Sequence, residues 1–144
     1  MPVGASTEAS LTEQRLMSCR SNEMGEHFVT LFNTEGKILW NIPLPARGHG
    51  LNINSDGHIA VVFARRPGEF MWVLDLMNHE IVSKIAPQLG RHFYGHGVMS
   101  QKTGMLYTTE NDYDAATGKI GLYDMANGFK RVDEIDSGGV GPHE

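Results

Sequence analysis

Short apolar runs separated by polar turns recur along this chain. Residues 59–63 and 105–109 are two such runs, and each follows a polar turn that ends in glycine, at Gly57 and Gly104. Runs of about four to eight residues that are rich in β-branched and aromatic side chains are typical of strands. The pattern therefore predicts many short antiparallel strands joined by tight turns.

The pattern has an internal period of 47 residues. His49, His96 and His143 each lie 47 positions apart, and residues 48–50 and 95–97 both read Gly-His-Gly. Internal repeats of this length indicate an architecture in which one small unit of secondary structure is stacked several times.

Each repeat contains four predicted strands. The histidine strand is followed by the glycine turn, a second strand, a loop, a third strand that ends near Asp75 or Asp124, and a fourth strand near residues 81–85 or 129–135. Four short antiparallel strands in about 40 to 50 residues are typical of one blade of a β-propeller.

We therefore predict an all-β chain that forms a partial β-propeller of about three four-stranded antiparallel blades. The predicted boundaries are a flexible leader or incomplete first strand over residues 1–15, a partial blade over 16–48, blades over 49–95 and 96–142, and the start of a further blade at 143–144. A β-sandwich or small barrel is the alternative, but neither predicts a histidine–glycine motif at a fixed period. Because propellers close with about 4 to 8 blades, the expected partners are the remaining blades of a parent protein or further copies of this chain.

The composition removes several classes of function. The net charge is −5 and the basic residues are dispersed, so nucleic acid is not an expected partner. No apolar run approaches the roughly 18 residues of a membrane span. Cys19 is the only cysteine of the sequence, which excludes an internal disulfide and any metal site built from several cysteines.

The repeated histidines are the main candidates for chemistry. The first strand of each blade lines the central channel of a propeller, so His49, His96 and His143 are expected to converge at one mouth of it. Imidazole is a common ligand of zinc, copper and nickel, and Glu144 could add a carboxylate. The alternatives are a structural brace, in which each histidine hydrogen-bonds the neighbouring blade, and contact with an organic or anionic ligand.

A second group of candidates lies around the third repeat. Arg91 could bind a carboxylate or phosphate, and His92 precedes His96 by four positions. Glu110 and Asp112 fall in a predicted acidic loop that could hold a ligand or a hard cation such as calcium. The basic segment 65–68 occupies the equivalent loop of the previous repeat, so the two loops could form an inter-blade ion pair.

Several motifs identify a family resemblance. These motifs are residues 44–50, 62–68, 91–98, 107–113 and 141–144. Together they resemble a family of bacterial exported propeller proteins of uncharacterised function, which is similar in architecture to YVTN (WD40-like) repeats and to the β-chain of quinoprotein amine dehydrogenases. The resemblance covers about residues 16–144 and corresponds to roughly the N-terminal half of the family's members.

The resemblance implies a location and a biological context. Members of the family usually carry a twin-arginine export signal and are often encoded beside imelysin-type iron-uptake proteins, which implies a periplasmic protein with a link to metal or iron acquisition. The sequence shows neither that signal nor a second half, so this chain is expected to be a piece of a larger propeller.

No catalytic motif is visible in the sequence: there is no Ser-His-Asp order, phosphate loop or dinucleotide fingerprint. We therefore predict a non-enzymatic scaffold or binding module that could take a transition metal. The alternatives are a metal-dependent enzyme that uses the channel-mouth histidines and a truncated fragment without a function of its own.

Overall fold

A computed structural model describes residues 14–143 of the chain. The predicted leader, apart from its last two residues, and Glu144 lie outside the described residues. In this part of the chain, eleven strands form three consecutive antiparallel sheets, each joined in simple chain order. Sheet 1 contains three strands: β1 (Arg15–Ser21), β2 (His27–Asn33) and β3 (Ile38–Leu44).

The second and third sheets each contain four strands. Sheet 2 is formed by β4 (Gly48–Ile53), β5 (Ile59–Ala64), β6 (Met71–Asp75) and β7 (Glu80–Ile85). Sheet 3 is formed by β8 (His92–Ser100), β9 (Met105–Asp112), β10 (Thr117–Asp124) and β11 (Lys130–Asp136), with a 3-10 turn at Met125–Asn127. Every pair of neighbouring strands in these sheets is antiparallel.

The sheets stack face to face, and sheet 2 lies in the middle. Val62 of β5 packs with Val29 and Leu31 of sheet 1 in one apolar cluster. The adjacent Phe63 points the other way and packs with Phe93 and other side chains of sheet 3 in a second cluster. Because both faces of sheet 2 are covered, β5 and β6 are continuous apolar runs rather than alternating ones.

Polar contacts fix the spacing between the sheets. Asn52 of β4 accepts a hydrogen bond from the backbone N–H of Met99 in β8 at 2.8 Å. The backbones of Gly68 and Phe93 exchange two hydrogen bonds, at 2.7 and 2.9 Å. Arg15 of sheet 1 donates to the carbonyl of Leu76 at 2.9 Å. The first of these bonds joins β4 and β8, the inner strands of sheets 2 and 3, and the other bonds join a loop or a strand end of sheet 2 to a neighbouring sheet.

The structure confirms the predicted fold class. It is all-β, and its three antiparallel sheets stack as successive blades of an open, unclosed propeller. Within the described residues sheet 1 has three strands, and most of the segment predicted as a leader or incomplete first strand, residues 1–15, lies outside them. Within residues 14–143, no helix is long and apolar enough to cross a membrane.

Candidate metal centre at the start of the inner strands

A β-bulge lies at each of the two repeated Gly-His-Gly segments. The pairing of β4 with β5 shifts register between Gly48 and Leu51, and that of β8 with β9 shifts between Phe93 and Gly97. Bulges turn a side chain out of the regular ladder and are common beside functional sites. Both bulges release a histidine from the ladder, with residues 49–50 left out of the register in β4 and residues 94–96 in β8.

Glycine lets the two bulged segments approach each other. A Cβ on Gly50 would lie 2.1 Å from the carbonyl oxygen of Gly95, and a Cβ on Gly95 would lie 2.8 Å from Cδ2 of His49. Gly95 also has a φ of +103°, which side-chain-bearing residues rarely adopt. The Gly-His-Gly repeat thus serves the contact between blades.

The structure brings the three repeated histidines together, and we call His49, His96 and His143 the histidine trio. The Nε2 atoms of His49 and His96 lie 3.1 Å apart. The ring centroids of His96 and His143 are 4.6 Å apart, and those of His49 and His143 are 6.2 Å apart. One ring nitrogen from each residue lies within 4.8 Å of the other two.

Positive charge surrounds the trio. Arg65, Arg66 and Tyr94 line a cavity of about 100 Å³ together with His49 and His143. Partial burial, followed by the charges of His143 and of nearby arginines, lowers the pKa of His49. At neutral pH the imidazole of His49 is therefore neutral and keeps a lone pair on one nitrogen.

Arg91, Glu110 and Asp112 do not join the trio; they belong to a charged network inside sheet 3. Glu110 lies in strand β9 rather than in a loop and is fully buried, where it accepts a hydrogen bond from Arg131 at 2.9 Å. Arg91 contacts Asp112 at 2.8 Å and holds both carboxylate oxygens of Glu134. We call these residues together with Tyr123, whose hydroxyl donates to Glu110 at 2.9 Å, the Glu110 network.

The Glu110 network corrects the predicted inter-blade ion pair. The carboxylates of Glu110 and Asp112 pair with guanidinium groups of Arg131 and Arg91, not with segment 65–68. Arg66 instead donates to the hydroxyl of Tyr94. A calcium ion or a ligand at Glu110 and Asp112 would have to displace these arginines from the carboxylates.

The Glu110 network predicts a loss of stability in acid. Hydrogen bonds from Arg91, and then from Arg131, lower the pKa of Glu134 from its ordinary 4.5 to about 2. A depressed pKa in the folded state stabilises the fold above pH 4.5, and this contribution disappears as the pH falls through about 2. We expect urea midpoints of the wild-type chain to fall more steeply between pH 4.5 and 2 than those of Glu134→Gln. Parallel curves for the two proteins would contradict this origin.

His92 is not a member of the trio and has other partners. Its Nε2 lies 2.9 Å from a carboxylate oxygen of Glu69, and its ring packs edge-on against Tyr113. His92 could share a face with His96 only if the backbone between them stayed extended, and the bulge with Gly95 at positive φ breaks that geometry. The extended backbone that would place His92 on the same face as His96 is therefore not formed.

Sequence reasoning missed the role of the arginines around the trio. Segment 65–68 is visibly basic, but strand periodicity places it only in a loop. The structure adds that the backbone N–H of Arg65 bonds to the carbonyl of Arg47 at 2.8 Å, which closes this loop beside the start of β4. The sequence did contain a signal for this role. The basic loop directly follows β5, and β5 pairs with β4, the strand that carries His49.

Solved structures share the fold with this chain. A structure titled "Kuenenia stuttgartiensis Hydrazine Synthase" matches at a TM-score of 0.61 and 17% identity, over 82% of this chain and 36% of that one. The dihydro-heme d1 dehydrogenase NirN, in complex with DHE, matches at 0.63 and 14%, over 85% and 27%. The β-propeller domain of the trilobed protease of Pyrococcus furiosus matches at 0.58 and 12%, over 85% and 39%.

These similarities establish the fold alone, since the identities are low. The chain spans between about a quarter and two fifths of the length of these three proteins. Comparison with proteins of curated function finds no significant match.

At the level of sequence, residues 42–144 match the family described as "Protein of unknown function (DUF1513)". The matched segment contains sheets 2 and 3, both bulges and the whole histidine trio. It covers well over half of the chain, and the propeller-like fold agrees with the resemblance seen in the sequence. The chain is therefore a member of the DUF1513 family.

Proposed function

We propose that this chain is a non-enzymatic propeller module that binds one transition-metal ion through His49, His96 and His143. The observation that supports this most directly is the convergence of three imidazole nitrogens within 4.8 Å of each other. The three come from positions 47 residues apart, so the stacking of repeats, rather than a local sequence motif, creates the donor set.

The distances suit a metal with little rearrangement. Two nitrogens that each lie about 2.0–2.1 Å from a tetrahedral ion are separated by about 3.3 Å. His49 and His96 already lie 3.1 Å apart. The ligand nitrogens of the trio are at most 4.8 Å apart. To reach a separation of about 3.3 Å, the third nitrogen must therefore move by about 1.5 Å, and a rotation of the exposed His143 side chain can supply this movement.

The donor set favours particular metals. Three imidazole ligands suit zinc, copper and nickel better than calcium or magnesium, which prefer oxygen ligands. Within residues 14–143 no carboxylate joins the cluster. Three histidines also leave coordination positions of the metal open, and this observation supports a metal-dependent enzyme as the second candidate function.

The biological setting is part of the proposal. The motif resemblance to exported propellers encoded beside iron-uptake proteins supports a periplasmic location and a role in handling metal ions. Since the chain spans only part of the propellers it resembles in structure, the module works together with further blades, either of a longer protein or of other copies.

Metal titration tests the proposal. We expect the purified 144-residue chain to bind about one Co²⁺ or Zn²⁺ per chain, with the visible bands of Co²⁺ reporting imidazole coordination. His96→Ala should weaken this binding by at least about a hundredfold, because it removes a direct ligand. His58→Ala is the matched control: this histidine is exposed, lies at the opposite end of the β4–β5 hairpin, and should leave binding unchanged.

Two results would contradict the proposal. One is that no metal binds, while His96→Ala lowers thermal stability; this would assign the trio to bracing through the His49–His96 hydrogen bond alone. The other is that His96→Ala and His58→Ala weaken metal binding equally, which would indicate non-specific surface sites.

A further inference from the structure

The cavity beside the histidine trio is unusually basic for this protein. The whole chain carries a net charge of −5, yet among residues 14–143 the charged side chains that line this cavity besides the histidines are Arg65 and Arg66. Arg47 is tied to the same loop by its backbone carbonyl, which accepts from the N–H of Arg65. An acidic protein has concentrated positive charge at one small site.

These arginines are available to a ligand. Within residues 14–143 none of Arg47, Arg65 and Arg66 forms an ion pair, whereas Arg91 and Arg131 of the Glu110 network pair with carboxylates. Arg66 is held at the cavity wall, with its guanidinium 5.1 Å from the ring centroid of Tyr94 and Nη1 donating to the hydroxyl at 3.0 Å. A guanidinium group that is held in place without an anionic partner is suited to bind a carboxylate or oxyanion in two-point fashion.

The size of the cavity limits the ligand. A volume of about 100 Å³ corresponds to about three water molecules at roughly 30 Å³ each. A small oxyanion or a short carboxylate fits this space. His49 and His143 line the same cavity as the two arginines, so an anion placed here would lie beside a metal held by the trio.

We infer that Arg65 and Arg66 form an anion subsite, so that the module binds a metal ion together with a small carboxylate or oxyanion that coordinates it. The inference rests on the proposed metal function and specifies its cargo: a metal–anion complex rather than a bare ion. The arginines hold the anion, the imidazoles hold the metal, and the negative charge of the anion offsets the charge of the cation beside the guanidinium groups.

The test is oxalate binding to the Co²⁺-loaded 144-residue chain, with the cobalt content measured after gel filtration. We expect Arg65→Gln/Arg66→Gln to retain cobalt but to bind oxalate at least about tenfold more weakly, and the oxalate-induced change in the cobalt bands to shrink accordingly. Arg65→Gln alone should also weaken oxalate binding. The Arg65 side chain makes no hydrogen bond within the described residues, so this variant tests the subsite without a loss of structure. Lys102→Gln/Lys130→Gln changes the net charge equally on exposed residues of sheet 3 and its turns, and should bind oxalate like the wild type.

The outcomes separate the two proposals. Equal oxalate affinity in the wild type and the arginine variants, with cobalt retained, overturns the anion subsite and leaves the metal site standing. If the wild type binds no metal, the metal function fails; arginine-dependent oxalate binding to the metal-free chain would then still support an anion site, and its absence would overturn that as well.

Discussion

Replacing Glu110 with glutamine is expected to lower the free energy of unfolding by about 3 kcal/mol. The carboxylate is fully buried and accepts hydrogen bonds from Thr108, Tyr123 and Arg131 at 2.8–2.9 Å. All three groups donate, so the amide of glutamine would turn its own donors toward at least one of them. The loss also leaves the partly buried Arg131 with Glu134 as its remaining carboxylate partner among the described residues. Chemical denaturation followed by far-ultraviolet circular dichroism measures the change.

The matched control for Glu110 is Asp136→Asn at the end of β11. Asp136 pairs with Lys119 on the same sheet, but its side chain is 78% exposed. The Lys119 side chain is 18% exposed, but the Asp136 carboxylate is in contact with water, so this variant should change the free energy of unfolding by less than about 1 kcal/mol. If Glu110→Gln changed the free energy of unfolding by as little as this control, the Glu110 network would have no special role in the stability of sheet 3.

Gly50→Ala is expected to have the second large effect, about 3 kcal/mol or more of lost stability together with loss of metal binding. The added Cβ would lie 2.1 Å from the carbonyl oxygen of Gly95, and a backbone atom cannot rotate away as a side chain can. The inner strands β4 and β8 must therefore separate. This separation moves His49 away from His96, so stability and metal affinity should fall together.

The control for Gly50 is Gly139→Ala, where an added Cβ would meet nothing within 4 Å. It should leave the unfolding free energy within about 0.5 kcal/mol of the wild type and the metal affinity unchanged. Should Gly50→Ala instead keep full stability and full affinity for Co²⁺, the close approach of β4 and β8 would not be what assembles the trio.

Periodicity predicted the architecture well because two independent signals coincide in this chain. The apolar runs of β5 and β9 follow turn glycines at equivalent places, and the 47-residue spacing of the histidines fixes their register. The convergence of His49, His96 and His143 follows from that register, since equivalent positions in stacked sheets fall beside each other.

The charged residues could not be predicted in the same way. Glu110 reads as part of an acidic loop, but β9 runs on through Asp112 and buries it. Its partner Arg131 lies two strands away, and Gly121 of β10 makes room for the carboxylate, since a Cβ there would lie 2.0 Å from Oε1. Such a contact depends on which face of the strand each side chain occupies. Strand periodicity in a single sequence does not determine that face when the strand carries polar residues on its buried side.

The covering of both faces of sheet 2 also affects how the three sheets unfold. In a linear stack each unit is held mainly by its nearest neighbours, so the outer units can fray while the middle one stays folded. In this chain the middle sheet has no face that stays buried without a neighbour. Val62 packs against sheet 1 and Phe63 packs against sheet 3, so the loss of either outer sheet exposes an apolar face of sheet 2 to water. We therefore expect the three sheets to unfold as one cooperative unit, and its stability depends on the packing of sheet 2.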